Sequence, residues 1–272
     1  MAALSQQQSA RPAPVSIFRR LERIVRLVTT AISFGLFGLF GLVLALVVFP
    51  LLFLFIRDKG KRAAVAQACL HRLFWVYVRV MRAMGTLSFE CDHPEILKTL
   101  KGTIVVANHP SLLDVVFLMS FMRHTRAVVK SSIWRNPFMR GVVIAANYIP
   151  NHGDAAKLME DCAAALREGA NLIIFPEGSR TPDGQPRHYQ KGFAHVALLA
   201  GAPVQIVTIE VNPPTLRKGE SWRRVAPTRA RWTIRVHERI DTAGQYGYDR
   251  SSSAVRKLKQ DVAERIEGLL RA

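Results

Sequence analysis

Thr103-Ile104-Val105-Val106-Ala107-Asn108-His109-Pro110-Ser111-Leu112-Leu113-Asp114 is a short apolar run that ends in a polar cluster. Farther along, Leu172-Ile173-Ile174-Phe175 ends the same way, in Pro176-Glu177-Gly178-Ser179-Arg180. Two strand-length runs that both stop in charged residues predict one site at the carboxyl edge of a sheet. Around them, strand-like runs also cover Leu87 to Cys91, Ala127 to Val129, Val204 to Val211 and Trp232 to Val236. Helical stretches lie between: Leu112 to Met122, Pro137 to Ala145, Asp154 to Arg167 and Gly192 to Leu199. The tail from Ser251 to Leu270 repeats Val255, Leu258, Val262, Ile266 and Leu269 at helical spacing. Such alternation predicts an α/β domain over residues 85–272, with a mixed, largely parallel sheet flanked by helices.

The two clusters contain the parts needed to activate a hydroxyl on an acidic substrate. Pro110 suits the first position of a helix, which places His109 just before the helix and Asp114 about one turn inside it. If the imidazole folds back over that turn, the carboxylate accepts from one ring nitrogen and leaves the other as a base. In the second cluster, Gly178 permits unusual backbone angles or close substrate approach. Arg180 offers two donors to a phosphate, and Glu177 either binds a hydroxyl of the acceptor or holds Arg180. No G-x-S-x-G elbow is present, so Ser111 and Ser179 are not read as nucleophiles. Cys69, Cys91 and Cys162 are scattered and form neither a disulfide framework nor a metal spacing.

The chain is both apolar and basic. Of its 272 residues 49% are hydrophobic, and 38 Lys and Arg face 20 Asp and Glu, a formal charge of +18. That combination fits a protein held on an anionic membrane surface. Nucleic acid is the other common anionic partner, but no helix-turn-helix, zinc or RNA-binding signature supports it. From Leu27 to Ile56 no residue is charged, which is long enough to cross a bilayer. Arginines and lysines flank it on both sides, so orientation is undetermined; the run either spans or, bent at Pro50, lies in one leaflet and returns. Ala63 to Met84 reads as a second, amphipathic helix, which makes residues 17–84 a two-helix membrane unit. Residues 1–16, rich in Gln, Ser, Ala and Pro, read as disordered. Between Arg217 and Arg239, Lys218, Arg223, Arg224, Arg229, Arg231 and Arg235 accompany Trp222 and Trp232. That stretch is either a headgroup-level surface, a docking patch for an anionic carrier, or a solvated loop.

The pair N-H-x-x-x-x-D (Asn108, His109, Asp114) and F-P-E-G-S-R (Phe175 to Arg180) resembles the lysophospholipid acyltransferase family, which includes 1-acylglycerol-3-phosphate acyltransferases. Lys130, Pro137 and Gly141 match a further family stretch, and Gly201-Ala202-Pro203-Val204 a fourth block; the resemblance runs from about residue 86 to 212. It implies that His109 is the general base and that Asp114 orients it. The acyl donor would be a thioester of coenzyme A or acyl carrier protein, used as co-substrate with no further cofactor. The acceptor would be a lysophospholipid, held by Asn108, Lys130, Glu177, Gly178, Ser179 and Arg180. Likeness to bacterial members implies an inner-membrane protein with its catalytic domain on the cytoplasmic side. One departure stands out: phosphatidate-forming members carry an arginine near the position of Asn151, where Arg140, Lys130 or His152 would have to compensate, or the acceptor is a specialised lipid of the ornithine-lipid or aryl-polyene type. A catalytically silent anion-binding module on the membrane is the remaining alternative.

Overall fold

Every residue of the run Ile104–Ala107 is buried, as expected for a strand covered on both faces. The computed structural model describes residues 17–130, 134–135, 137–151, 153–181, 185–247 and 249–271. The N-terminal stretch 1–16 and His152 therefore lie outside the described residues. The strands are β1 (Leu87–Cys91), β2 (Ile104–Ala107), β3 (Thr125–Arg126), β4 (Val128–Lys130), β5 (Ile149–Asn151), β6 (Asn171–Ile174), β7 (Val204–Asn212) and β8 (Ala230–Ile240). Six of them form one sheet in the order β1-β8-β7-β2-β6-β3, and β4 and β5 pair separately. All neighbours run parallel except β7 and β8. The expected mixed, largely parallel sheet flanked by helices is the architecture found.

The helices are α1 (Ile17–Val43), α2 (Phe49–Phe55), α3 (Lys59–Ala83), α4 (Pro94–Thr99), α5 (Asp114–Phe121), α6 (Pro137–Ala145), α7 (Ala155–Arg167), α8 (Gly192–Ala200), α9 (Thr242–Tyr246) and α10 (Ser252–Arg271). Local chemistry sets several of these ends. Asp154 caps α7 by accepting from the Lys157 N–H at 3.0 Å. Gly201, at φ 63°, closes α8 in a conformation that a side chain would strain.

The alternating faces of β2 divide the core. Ile104 and Val106 pack with α7, α8 and α10, through residues such as Leu166, Phe193, Val255 and Leu258. Val105 and Ala107 pack with α3, α4 and α5 and with β8, through Met81, Leu97, Phe117 and Trp232. Each large side chain so buried contributes roughly 1.5–3 kcal/mol against staying in water.

The apolar N-terminal run does not turn back at Pro50. It is one long helix, apolar over Arg20–Phe55 and long enough to cross a bilayer, with a wider π segment at Leu44–Val48 between α1 and α2. Pro50 lies at the start of α2, and its missing N–H and bulky ring are accommodated by that wider turn. The reversal comes at Ile56–Asp58 instead, where Asp58 caps α3 by accepting from the Lys61 N–H. Helix α3 is no free membrane helix: Ala66, Leu70, Tyr77, Val78 and Met81 are buried, the last three in the same core as the sheet. The end of α3 thus packs into the same core as the residues that follow the expected boundary at residue 84.

Candidate active site

At the end of β2 the chain turns sharply instead of entering a helix. The β2–β7 ladder ends at Ala107 and Val207, and the Asn108 side chain then takes over as a surrogate strand residue. Its Nδ2 donates to the Ile209 carbonyl at 2.8 Å and its Oδ1 accepts from the Ile209 N–H at 2.7 Å. Asn108 was expected to touch substrate. With both amide ends engaged on Ile209 and the residue buried, it anchors the turn instead.

Residues 111–113 form that turn and α5 begins at Asp114, so the carboxylate sits at the first helical residue and not one turn inside. This shift is what lets it face His109. Asp114 Oδ2 lies 2.8 Å from His109 Nδ1 and also accepts from the Ser111 N–H at 2.7 Å. A carboxylate only accepts, so Nδ1 carries the hydrogen and Nε2 keeps its lone pair. Asp114 is fully buried while His109 is partly open, at 17% side-chain exposure. Burial holds the Asp114 carboxyl above the usual carboxylate range, a rise only partly offset by the bonds from His109, Ser111 and Trp232. The imidazole stacks on Phe175, the last residue before the second cluster, with ring centroids 4.0 Å apart.

Glu177 joins the two clusters through the backbone. Its Oε1 accepts from the His109 N–H at 2.9 Å, and its Oε2 accepts from the Thr181 hydroxyl. These partners do not include Arg180, one of the two expected for Glu177; the carboxylate braces the turn that presents His109. Arg180 is tied elsewhere, its Nη1 donating to the carbonyls of Leu216 at 2.8 Å and Arg217 at 3.1 Å. Ser111 Oγ donates to Thr215 O at 3.0 Å, and Leu112 N–H donates to Leu216 O at 3.1 Å. Residues 215–217 thus hold both clusters at once. The turn Pro176–Arg180 needs Gly178, which sits at φ 69°.

A cavity of about 760 Å³ opens beside His109. Its walls are largely apolar: Val115 and Met119 from α5, Leu158, Met159 and Cys162 from α7, Ile173 and Ile174 from β6 with Phe175 just after it, and Phe193 and Val196 from α8. Lys130, Asn151, Gly178, Ser179, Arg180 and Lys218 also line it, so Lys130 and the second cluster do converge with His109. Burial pushes the Cys162 thiol up to about 12, which leaves it an inert part of the wall. Arg140 is exposed and does not reach the cavity. Among the described residues no three His, Cys, Asp or Glu side chains gather as metal donors.

Two residues of the basic stretch belong to this site. Trp232, read as interfacial, is 1% exposed, and its Nε1 donates to Asp114 Oδ1 at 3.3 Å. Lys218 reaches the cavity rim, where its ammonium donates to Ser179 Oγ at 3.2 Å. The signal for Trp232 was its place in an alternating strand, where it is an inward position. No local signal pointed to Lys218. The arginines around them are largely paired: Arg217 and Arg224 with Glu220, Arg231 with Glu90, Arg235 with Glu210.

Residues 88–210 match the family model described as Acyltransferase. A 1-acyl-sn-glycerol-3-phosphate acyltransferase of Limnanthes douglasii is 27% identical over 161 residues, 57% of this chain and 54% of that protein. One from Borreliella burgdorferi is 30% identical over 113 residues, 40% of this chain and 45% of that protein. The chain spans about half the length of the curated relatives it matches first. The crystal structure of the 1-acyl-sn-glycerophosphate acyltransferase of Thermotoga maritima superposes with a TM-score of 0.67, covering 93% of this chain and 98% of that one at 21% identity, a likeness of fold.

Proposed function

We propose that the protein, whose residues 88–210 match the acyltransferase family model, moves a fatty acyl group from a thioester to the hydroxyl of a lysophospholipid such as 1-acylglycerol-3-phosphate. The observation that carries this reading is the imidazole of His109, oriented by buried Asp114 at 2.8 Å, at the mouth of an apolar cavity that also meets Arg180 and Lys218.

Each part has a role. His109 Nε2 takes the proton of the acceptor hydroxyl, and the oxygen attacks the thioester carbonyl carbon. The tetrahedral intermediate collapses with cleavage of the C–S bond, and the imidazolium returns its proton to the leaving thiolate. The products are the acylated lipid and a free thiol, with no acyl-enzyme. Asp114 stabilises the imidazolium and fixes its tautomer; Trp232, Ser111 and Glu177 hold the pair in place. The apolar cavity takes the acyl chain, and the cations at its rim take the anionic headgroup. The donor is an acyl-CoA or an acyl carrier protein thioester.

The protein works at a bilayer surface. Arg26, near the start of the apolar helix, donates to Pro227 O at 2.6 Å, and Phe34 packs on Trp222. At the other end, Leu44 and Phe49 pack with Val142 and Ala146 of the catalytic domain. A helix held to one domain at both ends does not thread away from it through a membrane. Its other side presents Leu39, Leu46, Val47, Leu51, Leu54 and Phe55, all exposed. That side, buried in one leaflet, anchors the domain on the cytoplasmic face of the bacterial inner membrane.

The reading is tested with purified protein, both thioester types and several lyso-acceptors, following thiol release and lipid products by mass spectrometry. His109→Ala is expected to lose roughly 10²–10⁴-fold in rate with vesicle binding retained. Full activity in that variant would sink the proposed base.

A further inference from the structure

We propose that Lys218 is a further cation of the acceptor headgroup site, joining Arg180 and Lys130 in a cradle for a phosphomonoester at a rim where Asn151 is neutral. The proposal rests on the acyltransferase reading and names the headgroup chemistry of that same site.

A phosphomonoester carries close to two negative charges near neutrality, and a cavity rim with low-dielectric walls needs matching cations there. Asn151 lines the cavity and is neutral. Arg180 has both hydrogens of Nη1 taken by the carbonyls of Leu216 and Arg217. Only Nε and Nη2 remain for a ligand among the described residues. Lys218 stands next to it in the fold, though 38 positions later in sequence. Its ammonium spends one donor on Ser179 Oγ, the residue before Arg180, and keeps two. It meets no carboxylate among the described residues, because nearby Glu220 is engaged by Arg217 and Arg224. An exposed lysine held at a cavity rim beside an arginine, with no acidic partner, is poised for an anion. Lys218 also lies beyond the matched family segment, on the loop between β7 and β8 that braces both clusters.

The phosphate has two possible sources, the lipid acceptor and the phosphopantetheine arm of the donor, and the acceptor is the one assigned here. Its phosphate sits on the carbon next to the one whose hydroxyl must meet His109, whose ring lines the same cavity as Lys218, whereas the whole pantetheine arm separates the donor's thioester from its phosphate.

The test compares wild type with K218A, K218Q and K218R, measuring KM and kcat with 1-acylglycerol-3-phosphate, with uncharged 1-acylglycerol, and with the thioester donor. K218A and K218Q are expected to raise KM for the phosphomonoester about tenfold, the loss of one charge-assisted hydrogen bond. KM for the uncharged acceptor and for the donor should stay within about twofold, and K218R should restore the wild-type value. A K218Q enzyme that matches wild type would reduce Lys218 to a neutral tether for Ser179 and overturn the proposal. So would a rise confined to the donor KM. Binding of dodecyl phosphate by calorimetry separates this proposal from the reaction itself. Weaker binding in K218Q with no turnover by wild type would keep the anion site and end the acyltransferase reading. Equal binding in both proteins would end the anion site whatever the turnover.

Discussion

Trp232 Nε1 lies 3.3 Å from Asp114 Oδ1, while His109 Nδ1 and the Ser111 N–H share the other carboxylate oxygen. The indole comes from β8, a strand far from either motif in sequence, and reaches under α5 from the neighbouring part of the sheet. It fixes the carboxylate from the side that His109 does not touch. Trp232→Phe keeps an aromatic ring against Phe117, removes the donor and leaves a small cavity. We expect kcat to fall about three- to tenfold, with stability reduced by about 1–3 kcal/mol. Steady-state kinetics and urea unfolding check this; an unchanged kcat would confine Trp232 to packing.

Asn108 makes a contrasting prediction. Asn108→Ala leaves the Ile209 N–H and carbonyl without the partners that now bond to them. Each unsatisfied buried group costs about 1–3 kcal/mol, so about 2–4 kcal/mol of stability should go in urea unfolding. A stable Asn108→Ala enzyme with only a raised acceptor KM would mean that the amide serves substrate after all.

The cavity wall predicts chain-length control. Leu158 lines the cavity from α7 and is only half-buried, so a larger side chain there projects into the space without breaking the core. Leu158→Trp should shift product distribution toward shorter acyl chains when long and short thioesters compete. Mass spectrometry of the products reads the ratio directly; an unaltered distribution would place the acyl chain outside this cavity.

The apolar helix predicts separable membrane binding. Leu46 and Leu54 are 60% and 69% exposed on the side of the helix that faces away from the domain. Leu46→Glu with Leu54→Glu should greatly reduce co-sedimentation with anionic vesicles, since burying a carboxylate in hydrocarbon is costly. Turnover of a water-soluble short-chain acceptor should persist. Undiminished vesicle binding would move the anchor to another surface.

Much of this protein is legible one segment at a time. The buried run Ile104–Ala107, the cap at Asp154, the period of Ser252–Arg271 and the two motif clusters report themselves, because apolar periodicity and capping act over a few residues. The short strand Ile149–Asn151 and helix Pro94–Thr99 escaped because brief elements carry little periodicity.

The long-range partners could not be read that way. Glu177 meets the His109 backbone instead of Arg180, Trp232 meets Asp114 instead of lipid, and Lys218 meets Ser179 at the cavity rim. Each of these pairings depends on which strands become neighbours and where a turn ends. Hydrogen bonds and ion pairs are decided by ångström-scale distances between residues remote in the chain, and only the assembled sheet sets those distances.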